Sequence, residues 1–109
     1  MVNMGEKEDA EIIVETLLKG LIVQLFDQLL SEDALKSTVT MMKALKPAVS
    51  SVEDAVFGHI IGEFSARIKS SISSALKRDP SESELGFIAD AIIRRSIEIK
   101  SEVRKYANL

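Results

Sequence analysis

Hydrophobic positions along this chain recur at intervals of three and four residues and nowhere alternate with polar ones over the length of a strand. A period of two marks a strand facing a core, and a period near 3.6 marks a helix. Four segments carry the helical period. The first covers residues 8–30. At about 100° per residue, Glu8, Glu11, Glu15 and Lys19 share one sector, and Ile13, Val14, Leu17, Leu18 and Leu21 lie opposite. Further along, the polar positions move to Gly20, Gln24, Asp27 and Gln28, so that Ile22, Phe26 and Leu29 take the azimuth the glutamates held. A helix whose apolar face changes side needs different neighbours at its two ends, drawn from the same chain or from a second copy.

The second helix is predicted over 32–46. Ser31 is placed to cap it, Glu32 and Asp33 occupy its first turn, and Pro47 ends it. Leu35, Val39, Met42 and Leu45 form its inward face, with Lys36, Lys43 and Lys46 turned out. The third helix is predicted over 51–78, capped by Ser50 or Ser51, with the Ser50 to Glu53 spacing of a capping box. Its seam is Val52, Val56, Ile60, Phe64, Ile68, Ile72 and Leu76, and beside it runs a line of small residues, Gly58, Gly62, Ala66, Ser70 and Ser74. Glycine inside a helix costs about 0.8–1 kcal/mol relative to alanine. Gly58, Gly62 and Ala66 therefore predict the close approach of another helix. The fourth helix is predicted over 80–107, with Asp79 as cap, Pro80 in the first helical position and Glu82 completing the box. Leu85, Ile88, Ile92, Ile99, Val103 and Tyr106 make its core stripe, and Phe87, Ile93 and Ile97 fall outside that stripe.

The expected architecture is all-α: a four-helix antiparallel bundle in a single domain over residues 1–109, with residues 1–5 frayed. Such a bundle needs one apolar stripe per helix. Ile22, Phe26 and Leu29 on the first helix and Phe87, Ile93 and Ile97 on the fourth are surplus, and they predict a homodimer or a higher even-numbered oligomer.

Composition narrows this picture without redirecting it. A length of 109 residues allows one core. A hydrophobic share of 46% argues against disorder. With no cysteine there is neither a disulfide framework nor a thiolate zinc site. No apolar stretch precedes the acidic residues at the start, so no secretory signal is read and a cytoplasmic location is expected. Glu15, Lys19 and Asp27 count against a membrane-spanning first helix. Asn3, Asn108, Gln24 and Gln28 are the only amide side chains, beside many Ile, Glu and Lys, a balance that leans towards a thermophilic source.

Residues 1–33 hold 2 basic and 8 acidic side chains, residues 34–76 hold 5 and 3, and residues 77–109 hold 7 and 6. Acidic residues at the start of the first helix, and Arg104 and Lys105 near the end of the fourth, suit the two poles of a helix dipole. In an up-down-up-down bundle those two ends are neighbours.

Candidate chemistry is sparse. His59 is the only histidine, and Glu63 follows one turn later, but a catalytic metal needs at least three converging protein ligands. Val56 stands where the Glu-x-x-His pair of a di-iron bundle would place its glutamate. Ser70, Ser71, Ser73 and Ser74 have no base to activate them, and Gly58 and Gly62 belong to no phosphate-binding loop. Neither a catalytic constellation nor a cofactor is therefore expected. Lys77, Arg78, Arg94, Arg95, Lys100, Arg104 and Lys105 offer phosphate contacts, although Glu98 and Glu102 lie within a turn of several of them. The expected function is that of a small helical protein working through protein–protein contacts, as an assembly, adaptor or scaffold component. The alternative is a nucleic-acid-associated accessory subunit or regulator that uses the fourth helix and the turn before it.

Overall fold

The computed structural model describes the backbone of residues 4–108 and the side chains of residues 13–108. Within them lie four helices and no strand: α1 (Met4–Leu29), α2 (Glu32–Ala44), α3 (Val52–Leu76) and α4 (Glu82–Ala107). Each touches the other three. None is long and apolar enough to cross a membrane among the described residues.

Three serines set the helix starts. The Ser31 side chain accepts from the Ala34 amide and opens α2, and Ser51, rather than Ser50, accepts from the Asp54 amide and opens α3. With Ser51 as the cap the third helical position falls on Asp54, so Glu53 closes no box, and its carboxylate pairs instead with Arg104 of α4. The start of α4 also departs from expectation. Ser81, not Asp79, is the cap, and Glu84, not Glu82, completes the box by accepting from the Ser81 amide at 2.9 Å. The reason lies upstream: Lys77 ends α3 in the left-handed region with φ 57°. Arg78 then reaches both carboxylate oxygens of Glu84 at 2.8 and 2.9 Å and fixes that side chain over the turn. Glu84 therefore occupies buried space, while Leu85, expected in the core, is exposed. At the other end, α2 stops two residues before its predicted limit, where Leu45 and Lys46 tighten the last turn by donating to Met42 and Lys43.

The α3–α4 hairpin is the spine of the molecule. Glu53 pairs with Arg104, and the Lys100 ammonium lies 5.1 Å from the Phe57 ring centroid, so α4 runs back along α3 with residue 57 level with residue 100. Phe26 of α1 stacks on Phe64, centroids 4.1 Å apart and planes 8° apart, and the Arg95 guanidinium covers Phe26 at 4.7 Å. Near the other end, Lys36 of α2 is raised above the usual lysine range by Glu32, 2.7 Å away, and also interacts electrostatically with Tyr106 of α4. That places α2 over the part of the hairpin where α3 begins and α4 ends. Ile68, Ile72 and Ile88, at the opposite end, are buried just as completely, which two helices alone cannot achieve. Leu18, Ile22 and Leu25 of α1 supply the cover there.

The first two helices thus lie in succession along the hairpin rather than side by side. This differs from the up-down-up-down order in which the start of the first helix adjoins the end of the fourth. The longest dimension, 59 Å, agrees with the offset, since a 26-residue helix is only about 39 Å long. One core runs the whole length, from Leu35, Val39, Val52 and Val103 at one end to Leu18, Ile72 and Ile88 at the other. Each such buried aliphatic side chain contributes about 1.5–3 kcal/mol.

Ile22 and Phe26, expected at an interface between copies, are buried in this core, and Leu29 is half-buried against it. The apparent change of face along α1 has a simple physical basis. Its second half is covered by its own chain, while Ile13 and Leu17, nearer its start, remain exposed.

Candidate interaction surface

Apolar surface remains on the second strip of α4, and also at Ile13, Leu17 and Val23 of α1 and at Met41 and Leu45 of α2. Ile93 and Ile97 lie about 120–180° around the helix from Ile88 and Ile99, which face the core. They are 68% and 82% exposed. Phe87, the third member of the predicted strip, is half-buried against the core instead. On the neighbouring helix Phe57 and Ile61 are half-buried, and Lys100 bridges the two helices by lying over the Phe57 ring. The outer face of the hairpin therefore carries apolar side chains from both helices.

Gly58, Gly62 and Ala66 are exposed, and a Cβ built on Gly58 or Gly62 would meet nothing within 4 Å. Among the described residues, no helix makes the expected close packing at Gly58 or Gly62. With Asp54 they form a line at four-residue spacing along the outward side of α3. By the register of the hairpin, Ile93 and Ile97 stand at the height of Gly62.

The basic residues divide into two groups. Arg78 is held by Glu84, Arg95 by Glu98 at 2.9 Å, Arg104 by Glu53, and Lys105 by Glu102 at 2.7 Å. Lys100 lies over Phe57, while Lys77 and Arg94 are exposed without an ion pair among the described residues. Bonding to Arg78, and then to the Ser81 amide and hydroxyl, holds the Glu84 carboxyl at about 2, against an opposing effect of burial. The Glu98 carboxyl is lowered by its bond to Arg95, and the Lys105 ammonium raised by its bond to Glu102. Of the seven cations proposed for phosphate contacts, four are thus already committed to carboxylates.

His59 is half-buried on α3, and Glu63, one turn on, accepts from the Arg67 guanidinium at 3.1 Å. No three of His, Cys, Asp and Glu come together to hold a metal ion among the described residues. A shallow depression is lined by Lys19, Gly20, Val23, Gln24, Asp27 and Gln28. All six belong to α1, and one helix alone presents a convex surface that cannot enclose a small molecule.

Two features escaped the sequence reading. The Ser81 to Glu84 spacing was available as a capping-box signal, but Asp79 and Pro80 carried the same signal two residues earlier. The Arg95 contact with Phe26 links residues 69 apart, and no local pattern announces it. No protein-family model, no curated protein and no solved structure matches the chain.

Proposed function

We propose that this protein works through protein–protein contacts, as an assembly, adaptor or scaffold component, and that its working form is a homodimer of antiparallel helical units in the cytoplasm. The observation that carries this reading is the exposure of Ile93 and Ile97, one turn apart on a helix whose other face is already buried. A single exposed aliphatic side chain is ordinary. Two in line on one helix face form an apolar strip of the kind that marks a binding surface. Removing each from water is worth about 1.5–3 kcal/mol. The ion pairs along α4 support the same reading, because guanidinium groups engaged by Glu84, Glu98 and Glu53 must break those bonds before they can hold phosphates.

Sedimentation equilibrium on the full chain tests it. The expected mass is twice 12.0 kDa at micromolar concentration, and Ile97→Glu should halve it while leaving the helical circular dichroism intact. A wild-type monomer persisting at high micromolar concentration would overturn the proposal.

A further inference from the structure

The geometry of the outer hairpin face points to a particular dimer, and this inference rests on the self-association just proposed. We infer that a second copy of this chain packs on the α3–α4 face about a two-fold axis parallel to the helices. Ile93 and Ile97 of each α4 then seat on Gly58, Gly62 and Ala66 of the other copy's α3.

Three observations carry this. First, relief is complementary at matched height. Glu53 meets Arg104 and Phe57 meets Lys100, so their residue numbers add to the same total, and continuing that register puts Ile93 and Ile97 on either side of Gly62. A two-fold axis parallel to the helices preserves height and exchanges the two helices, bringing the protruding side chains of α4 over the bare backbone of the partner's α3. None of the described residues occupies that space, since a Cβ at Gly58 or Gly62 meets no atom within 4 Å. A small residue at a helix contact allows close approach, which offsets the helix propensity that glycine sacrifices.

Second, the charges agree. Asp54 continues the glycine line at the height of Lys100 and Arg104, and Lys69 lies near the height of Asp90. Exchanging the helices sets Lys69 of one copy against Asp90 of the other, and brings Asp54 beside the Arg104 and Lys100 that already engage Glu53 and Phe57 of their own copy. Asp54, Lys69 and Asp90 have no ion pair among the described residues. Third, the area suffices. Two packed helices of this length present a face about 37 Å long and about 20 Å wide, or about 750 Å². Each partner in a standard-sized interface contributes about 800 Å².

An exchange of relief between residues 62 and 97 tests the axis. Gly62→Leu fills the groove at a position with free space in the monomer. It should therefore leave the fold intact and weaken the dimer by about a hundredfold, read by sedimentation equilibrium. Ile97→Ala should weaken it by about tenfold. The double variant Gly62→Leu with Ile97→Ala moves the protrusion from α4 to α3, and it should dimerise within about tenfold of the wild type. Dimerisation of Gly62→Leu at wild-type strength would overturn the inference, and so would failure of the double variant to recover. The second result is what a two-fold axis perpendicular to the helices gives, because residue 62 then faces its own counterpart. A wild-type protein that stays monomeric would instead overturn the self-association itself.

Discussion

Replacing Phe26 with alanine separates a core role for this side chain from an interface role. The ring is fully buried, stacked at 4.1 Å on Phe64 and capped by Arg95 at 4.7 Å. Phe→Ala in a packed core costs about 3–5 kcal/mol through lost transfer energy and the cavity left behind. About 0.5–1.5 kcal/mol of that belongs to the ring pair itself. A loss of about 4 kcal/mol is a quarter or more of the ~5–15 kcal/mol that holds a domain of this kind together. At about 4 °C per kcal/mol for a domain near this size, the melting temperature should fall by ~16 °C. Urea titration followed by far-ultraviolet circular dichroism, at two protein concentrations, measures the loss and separates unfolding from dissociation. A cycle of Phe26→Leu and Phe64→Leu should show a coupling of about 1 kcal/mol. A loss below ~1.5 kcal/mol, or a variant that dissociates while keeping its stability as a monomer, would refute the placement of Phe26 in the core.

Acid should destabilise the protein through Glu84. Its folded carboxyl sits at about 2, below the 4.5 of the free group, so its contribution is complete above pH 4.5 and is lost as the pH falls towards 2. Acid titration of Glu84→Gln should show a shallower decline over that window, and an unchanged slope would contradict the assignment. Ser81→Ala should cost about 1 kcal/mol in denaturant melts, and Asp79→Ala only a few tenths, because Ser81 and not Asp79 receives the Glu84 amide. An equal cost at both positions would return the cap to Asp79. Gly20→Ala, on the outward side of α1 where a Cβ meets nothing within 4 Å, should stabilise the fold by about 0.8–1 kcal/mol. Destabilisation there would mean that the outward side of α1 is covered.

The four helices were legible because their signals are local. Ser31 and the four-residue seam from Val52 to Ile72 specify a start and a buried face within a few turns of chain. What failed is what depends on contacts between distant residues. The second half of α1 looked like surplus surface because its stripe moves around the helix, and only the Phe64 ring and Arg95 show that one hairpin covers it. Gly58 and Gly62 announced a close neighbour that no described residue of the chain supplies, because a small residue inside a helix signals room for a neighbour without showing that one is there. Within the candidate surface, Ile93 and Ile97 were legible from angle alone. Phe87 was not, because a ring at the edge of a stripe can fold inwards where a β-branched side chain cannot reach.

The succession of α1 and α2 along the hairpin also dictates an order of events on the ribosome. A helical hairpin formed by the first two helices would let the nascent chain hide its apolar residues early. Here Leu18, Ile22 and Phe26 share one core with α3 and α4, Phe26 lying between Phe64 and Arg95 near the middle of both helices, and Leu35 and Val39 belong to the same core. None of these stripes can be fully covered until most of α4 has emerged. With synthesis at about 5–20 residues per second, the amino-terminal apolar residues wait several seconds for their partners. During that interval Glu15, Lys19, Asp27, Glu32, Asp33 and Lys36, charges that do little for the finished core, keep the waiting segment hydrated and apart from other chains.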